Sequence, residues 1–302
     1  MRIAGALTAG ALVAGMIVAG AVTAPAARAA GEKRTTPAAK AASAPVGVRS
    51  RYAELANAAT GADLWSRSSV LKRPMGSVTM VMTAYVVLTT PGLNLKRVIT
   101  VPRGIVGYDA EYDASTAGLR PGERLTTLQL LYAMLLPSGC DAAYTLAYAY
   151  GPGLAGFIAK MNAAARKLGL AKTHFTDFSG LPAPGAYATY STAHDLIALG
   201  RDATANKTLA AIVATREYKV AATSAHLAHT WNNLDPLLGK FPGAIGIKTG
   251  FTSAAGQCLL FEVRRGGKTL IGVVLDSSAV NSSSLAAAAS DAVAMLDWGL
   301  RR

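Results

Sequence analysis

Residues 75–88 read MGSVTMVMTAYVVL, in which a small Gly-Ser pair leads directly into an apolar run of helical length. The run ends at Thr89-Thr90-Pro91-Gly92, where proline and glycine are typical helix stop signals. We therefore predict a helix with Ser77 at its N-terminus. A serine in that position is more often a helix cap than a nucleophile, so Ser77 alone indicates no chemistry.

The segments on either side of this helix differ in their hydrophobic period. Upstream, apolar and polar residues alternate around Thr60-Gly61, which predicts a β-hairpin. Downstream, helical patterns cover residues 124–151, 154–170 and 191–215, with a break at Pro137-Ser138-Gly139, stops at Gly151-Pro152 and Gly169, and a cap at Ser191 or Thr192. The stretches GAIGIKTG, GQCLLFEVRR and KTLIGVVLDSS then predict strands, with Gly266-Gly267 as a hairpin turn. An amphipathic helix ends the sequence.

Strands at both ends of the chain with helices between them indicate an α+β fold. We expect the terminal segments to meet in one antiparallel sheet that is flanked by helices. The helices of the middle segment then form an all-helical lobe, inserted between the N- and C-terminal parts of the sheet.

The first 29 residues have the pattern of a secretory signal peptide. Arg2 is followed by an uncharged apolar stretch, and the pattern closes with small residues around Arg28. A retained membrane anchor is the alternative, because the apolar run approaches the length that spans a bilayer. Residues 30–47 are rich in Ala, Pro, Thr and Lys and predict a linker, which leaves residues 48–302 as one domain.

The chain is strongly basic. Its formal charge is +13, and loss of Arg2 and Arg28 with the signal peptide leaves +11. This excess suits anionic surroundings such as a cell wall, but it also suits plain solubility, and both interpretations stay open. Export and the scattered distribution of the basic residues argue against a nucleic-acid partner.

Two further motifs give Ser77 a chemical context. Ser138-Gly139-Cys140 lies at the helix break, and Lys248-Thr249-Gly250 lies on a C-terminal strand. A serine at a helix start, a second serine motif and a K-T-G triplet, in this order, are typical of active-site serine penicillin-binding proteins and β-lactamases.

With these motifs the sequence resembles the low-molecular-mass penicillin-binding proteins of the D-alanyl-D-alanine carboxypeptidase family. The resemblance covers nearly all of the chain after residue 50 and includes the stretches GSVTMVMTAYVVL, LTTLQLLYAMLLPSGCDAAYTLA, THFTDFSGLP, YSTAHDLIAL and GAIGIKTGFTSAAGQCLLF. The Ser-Gly-Cys motif looks most like that of small exported actinomycete DD-transpeptidases and carboxypeptidases, in which Cys occupies a place more often held by Asn. The implied fold is that of the β-lactamases and DD-peptidases.

The resemblance implies a role for each motif residue. Ser77 would attack the penultimate D-Ala carbonyl and form an acyl-enzyme, and Ser138 would relay a proton to the leaving amine. Lys248 and Thr249 would hold the substrate carboxylate. The following residues would complete the substrate site: Cys140 as a pocket wall, Gly250 as part of the triplet, and Phe251, whose backbone N–H would form the oxyanion hole with that of Ser77.

The implied partners are peptidoglycan stem peptides that end in D-Ala-D-Ala, with β-lactams as acylating inhibitors. The resemblance implies no cofactor and no metal. We expect a monomer that is secreted, associated with the cell wall and not anchored in the membrane after signal cleavage.

The sequence departs from the family pattern at Met80. The family needs a lysine three residues after the nucleophile, because positions i and i+3 share a helix face. A thioether cannot accept a proton at neutral pH, so the usual general base of acylation is missing. A literal S-x-x-K match from Ser69 to Lys72 does not replace it, because Pro74 prevents a helix there.

Three functions remain open. The first is a DD-peptidase, supported by every motif except Met80. The second is a non-catalytic peptidoglycan-binding protein, supported by Met80 itself. The third is a β-lactamase, which would need a deacylating Glu that no sequence context indicates.

Three other features favour structural roles. His226 and His229 form an H-x-x-H pair that lacks a third zinc ligand. Asp141 suits the charge of a helix start. For Cys140 and Cys258 we favour free thiols over a disulfide, because a domain of this size does not need a covalent link.

Overall fold

The structure is a computed structural model that describes residues 43–281 and 284–302. The predicted signal peptide and most of the predicted linker lie outside the described residues. In the part of the linker that is described, the Ser43 carbonyl accepts hydrogen bonds from the Trp298 indole and the Arg302 guanidinium. Among the described residues, no helix is both long and apolar enough to cross a membrane.

Nine strands and eight α-helices make up the described part of the chain. The strands are β1 Tyr52–Asn57, β2 Asp63–Arg67, β3 Val98–Thr100, β4 Arg124–Thr126, β5 Glu217–Val220, β6 His229–Asn232, β7 Ala244–Thr252, β8 Gly256–Arg265 and β9 Lys268–Leu275. The helices are α1 Met80–Leu88, α2 Ile105–Tyr112, α3 Thr127–Leu135, α4 Cys140–Tyr150, α5 Gly153–Lys167, α6 Ala193–Thr204, α7 Lys207–Ala214 and α8 Ala286–Leu300. A 3₁₀ turn, Gly76–Thr79, leads into α1.

The main sheet joins the two ends of the domain. Its order is β2-β1-β9-β8-β7, and every neighbouring pair is antiparallel. Side chains of β8 alternate between two apolar layers, because successive residues of a strand face opposite sides of a sheet. Leu259 and Phe261 pack with helix α8, whereas Leu260 packs with the cluster that contains α1 and α6. The fold prediction of a sheet flanked by helices is confirmed.

Helix α1 is the centre of the helical lobe. Every one of its residues except Tyr85 is buried, and its neighbours include α3, α4, α5, α6 and α7. A helix surrounded in this way needs apolar residues on all sides, which explains the uninterrupted run in the sequence. Because the turn that carries Ser77 leads directly into this buried helix and contacts β7, Ser77 lies at the junction between the lobe and the sheet.

The predicted helix boundaries agree closely with the structure. Helices α3 and α4 are separated at residues 136–139, and Thr192 caps α6 by accepting a hydrogen bond from the Asp195 N–H. The segment between β2 and β7 also contains helix α2 and two small sheets, β3–β4 and β5–β6, that were not predicted, so the lobe is not all-helical as expected. Strands of three or four residues are too short to show a clear alternation in the sequence.

Candidate active site

A cleft at the junction of sheet and lobe brings the three motifs together. Its volume is about 280 Å³. It is lined by Ser77, Ser138, Thr249, Gly250 and Phe251, together with Asp113, Ser115, Leu181, Leu234, Asn281 and Leu285. The cleft therefore contains residues from segments that lie more than 170 positions apart in the sequence.

Ser77 lies in the 3₁₀ turn, immediately before α1. Its residue is nearly buried, with 9% of its surface exposed. In the described part of the chain, no side chain or backbone group forms a hydrogen bond with its hydroxyl. The hydroxyl is thus available to a ligand in the cleft, and it is not a helix cap.

The turn that carries Ser77 is pressed against strand β7. Gly76 has a φ of +53°, and a methyl group on it would lie 2.8 Å from the Phe251 nitrogen. A methyl group on Gly250 would lie 2.4 Å from the Met75 carbonyl oxygen and 3.1 Å from the Ser77 nitrogen. Only glycine allows this approach at both positions, so the backbones of residues 77 and 251 lie side by side.

Met80 occupies the first position of α1, one turn after Ser77. It is fully buried within the main apolar cluster. The Ser138 hydroxyl lies 3.8 Å from its sulfur, within the range of a weak O–H···S hydrogen bond. The Met80 side chain therefore lies beside Ser138, where the resemblance places the family's lysine. A thioether does not titrate, so this position supplies no proton acceptor.

Ser138 sits in the break between α3 and α4 with a φ of +64°. A left-handed conformation is unusual for serine and costs about 1–3 kcal/mol, so neighbouring contacts must hold it. The Ser115 hydroxyl donates to the Ser138 carbonyl at 2.7 Å, and the Cys140 N–H donates to the Ser115 carbonyl at 2.8 Å. These contacts fix the direction of the Ser138 hydroxyl.

Lys248 meets Ser138 from the strand side of the cleft. Its Nζ donates to the Ser138 hydroxyl at 3.0 Å and to the Thr249 carbonyl at 3.2 Å. Burial lowers the pKa of Lys248 to about 8, because the ammonium loses its hydration. Near neutral pH this amine therefore exists in both protonation states.

Cys140 forms an apolar wall behind the second motif. Its sulfur lies 3.8 Å from both the Ser115 hydroxyl and the Ser138 carbonyl. Burial raises the pKa of this thiol to about 12, so it stays neutral. Cys140 and Cys258 are both free.

A loop of residues 177–181 supports the nucleophile turn from the lobe side. One oxygen of Asp177 accepts hydrogen bonds from the N–H groups of Ser179, Gly180 and Leu181, and the other accepts from the Tyr108 hydroxyl at 2.6 Å. Gly180 leaves no room for a side chain, since a methyl group would lie 2.0 Å from the Gly76 carbonyl oxygen. In the sequence this stretch is visible only as part of the family resemblance.

Asp235, a buried carboxyl group in the loop between β6 and β7, was not predicted from the sequence. It interacts electrostatically with Lys248, and burial raises its own pKa to about 6. Ser115, Leu234 and Leu285, which line the cleft, were missed as well. None of these residues belongs to a short motif, so their sequence context gave no signal.

The remaining candidates lie away from the cleft or have structural partners. Ser69 lies in a turn and Lys72 follows it in irregular backbone, which confirms that no helix starts there. His229 contacts the Glu123 carboxylate at 3.1 Å, and the His226 ring contacts the Leu227 carbonyl. Across residues 43–281 and 284–302, no group of three or more His, Cys, Asp or Glu residues could hold a metal ion.

Asp141 lies in the first turn of α4, as expected, but its contacts extend further. Its carboxylate accepts hydrogen bonds from the N–H groups of Ala117, Leu119 and Ala142. Asp141 therefore also ties the Ser115 loop to the second motif.

Comparisons with known proteins agree with this geometry. The profile of the D-alanyl-D-alanine carboxypeptidase family matches residues 38–279. A D-alanyl-D-alanine carboxypeptidase of Streptomyces sp. (strain K15) is 39% identical over 281 residues, 90% of this chain and 93% of the relative. A D-alanyl-D-alanine carboxypeptidase of Mycobacterium tuberculosis is 39% identical over 212 residues, 70% of this chain and 69% of the relative.

Solved structures give the same result. The crystal structure of the Streptomyces K15 DD-transpeptidase superposes with a TM-score of 0.79 at 38% identity, covering 86% of this chain and 100% of that one. A penicillin-binding protein homologue of Mycobacterium tuberculosis superposes with a TM-score of 0.75 at 31% identity, covering 87% and 95%. The profile match over most of the chain, the relatives and the shared fold lead to one conclusion: this chain belongs to the D-alanyl-D-alanine carboxypeptidase family.

Proposed function

We propose that this chain is a slow serine-type DD-peptidase that forms an acyl-enzyme on Ser77 with peptides ending in D-Ala-D-Ala. The observation that carries the proposal is the meeting of Ser77, Ser138 and Lys248 at one cleft, with the Lys248 amine 3.0 Å from the Ser138 hydroxyl. A nucleophile, a proton relay and a cation are the groups that acyl transfer requires.

In the proposed acylation step, the Ser77 oxygen bonds to the penultimate D-Ala carbonyl carbon. The bond from this carbon to the nitrogen of the terminal D-Ala breaks. The Ser77 proton passes through Ser138 to the leaving amine, and the N–H groups of residues 77 and 251 stabilise the oxyanion. Water then releases a carboxylic acid, or an amine acceptor forms a new peptide bond.

Lys248 is the amine available to drive this transfer, since Met80 offers no base. It has two tasks with opposite charge requirements. As an ammonium it attracts the substrate carboxylate together with Thr249, and as a neutral amine it accepts a proton through Ser138. A bound carboxylate favours the ammonium, so the amine rarely has the form that acylation needs. This conflict is our reason to expect slow acylation.

The proposed substrates are peptidoglycan stem peptides, with β-lactams as acylating inhibitors. We propose a monomer that is secreted and associated with the cell wall, and that uses no nucleic acid, cofactor or metal. The signal-like first 29 residues and the net positive charge support this location.

Met80 also favours a second candidate function, a protein that binds wall peptides without turnover. The buried thioether preserves the packing around Ser77 while removing the general base. Such a protein would keep the carboxylate site of Lys248 and Thr249 and would never form an acyl-enzyme.

To test the proposal, the mature protein is mixed with benzylpenicillin and its intact mass is measured by mass spectrometry over several hours. We expect one slowly formed adduct, which is absent from Ser77→Ala and retained by Ser69→Ala, the matched control for the other S-x-x-K-like serine. An adduct that survives in Ser77→Ala would overturn the nucleophile assignment. A native protein that never forms an adduct, but binds a D-Ala-D-Ala peptide, would support the second function.

A further inference from the structure

A second cavity, with a volume of about 610 Å³, lies next to the cleft. It is lined by residues from the start of β5 and from the loop between β6 and β7, and Leu234 lines both the cavity and the cleft. The Leu234 N–H donates to the Leu136 carbonyl at 3.1 Å, which attaches this shared wall to the chain two residues before Ser138. The cavity is therefore a neighbour of the cleft, separated from it by one side chain.

The position of the cavity relates it to one end of the bound substrate. In the proposed reaction the oxyanion lies at Phe251 and the terminal carboxylate lies at Lys248, so the substrate runs along β7 towards the N-terminal end of the strand. Two residues beyond Lys248, a methyl group on Gly246 would lie 2.9 Å from the Val213 side chain. The side chain of Asn233, a residue of the cavity lining, donates to the Val213 carbonyl at 2.9 Å. The cavity therefore lies beyond Lys248, on the side from which the terminal D-Ala departs.

The charges of the cavity lining are unevenly paired. Arg216 and Lys240 line the cavity, and within residues 43–281 and 284–302 neither side chain forms a hydrogen bond or an ion pair. The two acidic residues of the lining differ from them. Glu217 forms an ion pair with Lys219 at 2.9 Å, and Asp235 is only 6% exposed. The charge that the lining offers to a ligand is therefore positive, and it suits an anion.

The Arg216 guanidinium is held against the turn that precedes Lys240. A methyl group on Gly239 would lie 3.0 Å from the guanidinium carbon of Arg216, so a glycine makes room for this side chain. The backbone of Arg216 is fixed as well, because its carbonyl accepts the Asn233 N–H at 2.8 Å. A planar guanidinium binds a carboxylate through two parallel hydrogen bonds, which an ammonium does not do. The anion that best fits Arg216, with Lys240 beside it, is therefore a carboxylate.

We propose that this cavity is an acceptor subsite, in which Arg216 and Lys240 bind a carboxylate of the amine that releases the acyl group from Ser77. The acceptor role rests on the proposed function. In this step the amine nitrogen bonds to the acyl carbon, the ester bond to the Ser77 oxygen breaks, and one amine proton returns through Ser138 to that oxygen. The amine enters where the terminal D-Ala has left, so the rest of the acceptor extends towards the cavity. A peptide with a free amino group and a distant carboxylate is the class of acceptor that fits.

The test measures how the acyl-enzyme divides between transfer and hydrolysis. An N-acetylated peptide ending in D-Ala-D-Ala is the donor, and mass spectrometry gives the ratio of transfer product to hydrolysis product, which does not depend on how slowly the acyl-enzyme forms. We expect this ratio to be roughly three- to tenfold higher with triglycine than with triglycinamide, the range for one or two exposed ion pairs. High salt should reduce the difference, because it screens exposed charges.

Matched variants assign the effect to the cavity. Arg216→Gln combined with Lys240→Gln should abolish the advantage of triglycine. Arg166→Gln combined with Lys167→Gln, the same loss of charge on exposed residues of α5, should keep it. Glycine, whose carboxylate lies beside its amine, is too short to reach past Leu234, so its ratio should be equal in the two double variants. No advantage of triglycine in the native protein, or an equal advantage in both double variants, would overturn the proposal.

A binding measurement separates this inference from the proposed catalysis. In a Ser77→Ala protein no acyl-enzyme forms, and NMR of ¹⁵N-labelled arginine side chains reports on the cavity alone, with Arg216→Gln to assign the Arg216 signal. Triglycine should shift this signal more than triglycinamide does. Equal responses to the two peptides would overturn the carboxylate subsite even if the native protein is acylated. A larger response to triglycine in a protein whose native form is never acylated would leave the carboxylate subsite standing while the proposed function fails.

Discussion

The two walls of the cleft differ in the chemistry that their buried side chains offer. On the wall formed by α1, Ser77 precedes Met80, a fully buried residue that fits its apolar neighbours and has no proton chemistry. On the wall formed by β7, Lys248 is equally buried but keeps a hydrogen-bonded amine whose pKa burial lowers to about 8. The α1 wall thus offers packing without a base, and the β7 wall offers a buried amine.

This difference shows that the frame of an active site and its chemistry are specified separately. The approach of Gly76 to Gly250 and the hydrogen bond from Ser115 to the Ser138 carbonyl do not involve the side chain at position 80, which reaches Ser138 only through a weak O–H···S contact. A methionine can replace a buried lysine there without the desolvation that an ammonium requires. The site is therefore assembled although position 80 offers no base, and this is why we expect slow acylation.

The largest expected effect on the labelling rate comes from placing a lysine at position 80, on the wall formed by α1. Met80→Lys should raise the rate of benzylpenicillin labelling by about 10²–10⁴, the contribution of a positioned general base. The same change should lower stability to urea, because an amine is buried in an apolar cluster. Met80→Leu is the matched control and should leave the labelling rate unchanged. A Met80→Lys protein that is folded and labels no faster would contradict the comparison.

The second effect is the pH dependence of labelling, which tests the β7 wall. A base works when it is neutral, so the native rate should rise about tenfold per pH unit and level off above about 8, the pKa of Lys248. Lys248→Met should remove this rise, and Met80→Lys should change its midpoint because a different amine then accepts the proton. A native rate that falls from pH 6 to 8 would mean that the charged form of Lys248 limits labelling.

The third effect concerns the contact between the walls. Gly250→Ala would place a methyl group 2.4 Å from the Met75 carbonyl, and we expect a loss of about 1–3 kcal/mol in the free energy of unfolding together with weak labelling. Gly107→Ala is the control, because a methyl group within α2 would meet nothing within 4 Å. It should be neutral or stabilise the protein by up to about 1 kcal/mol. Equal urea midpoints for the two variants would show that the walls do not need this close approach.

The smallest effect comes from Ser115→Ala. This change removes the 2.7 Å hydrogen bond to the Ser138 carbonyl and should cost about 0.5–1.5 kcal/mol in stability. Labelling should slow modestly, since the left-handed backbone at Ser138 loses one support. Thr223→Ala is the control, because it removes one hydrogen bond, that from the Ala225 N–H, at an exposed position outside the cleft lining. A Ser115→Ala protein with unchanged stability and labelling would show that the other contacts suffice.

The sequence alone determined the helices, the main sheet and the identity of the motif residues. These features follow from local patterns: an apolar run that must be buried on all sides, a proline and glycines that end helices, and alternation in the long strands. Met80 was also visible from the sequence, because the position three residues after Ser77 is fixed by helix geometry. Only helix α2 and the short strands β3 to β6 escaped prediction.

The tertiary structure decided what the motif residues can do. The contact between Lys248 and Ser138 joins residues 110 positions apart, and no local pattern encodes its 3.0 Å distance. The lowered pKa of Lys248 and the incompletely paired carboxylate of Asp235 depend on burial, which is a property of the assembled cleft. Residue identity is local, but charge state depends on the surrounding dielectric and on neighbours that only folding brings together.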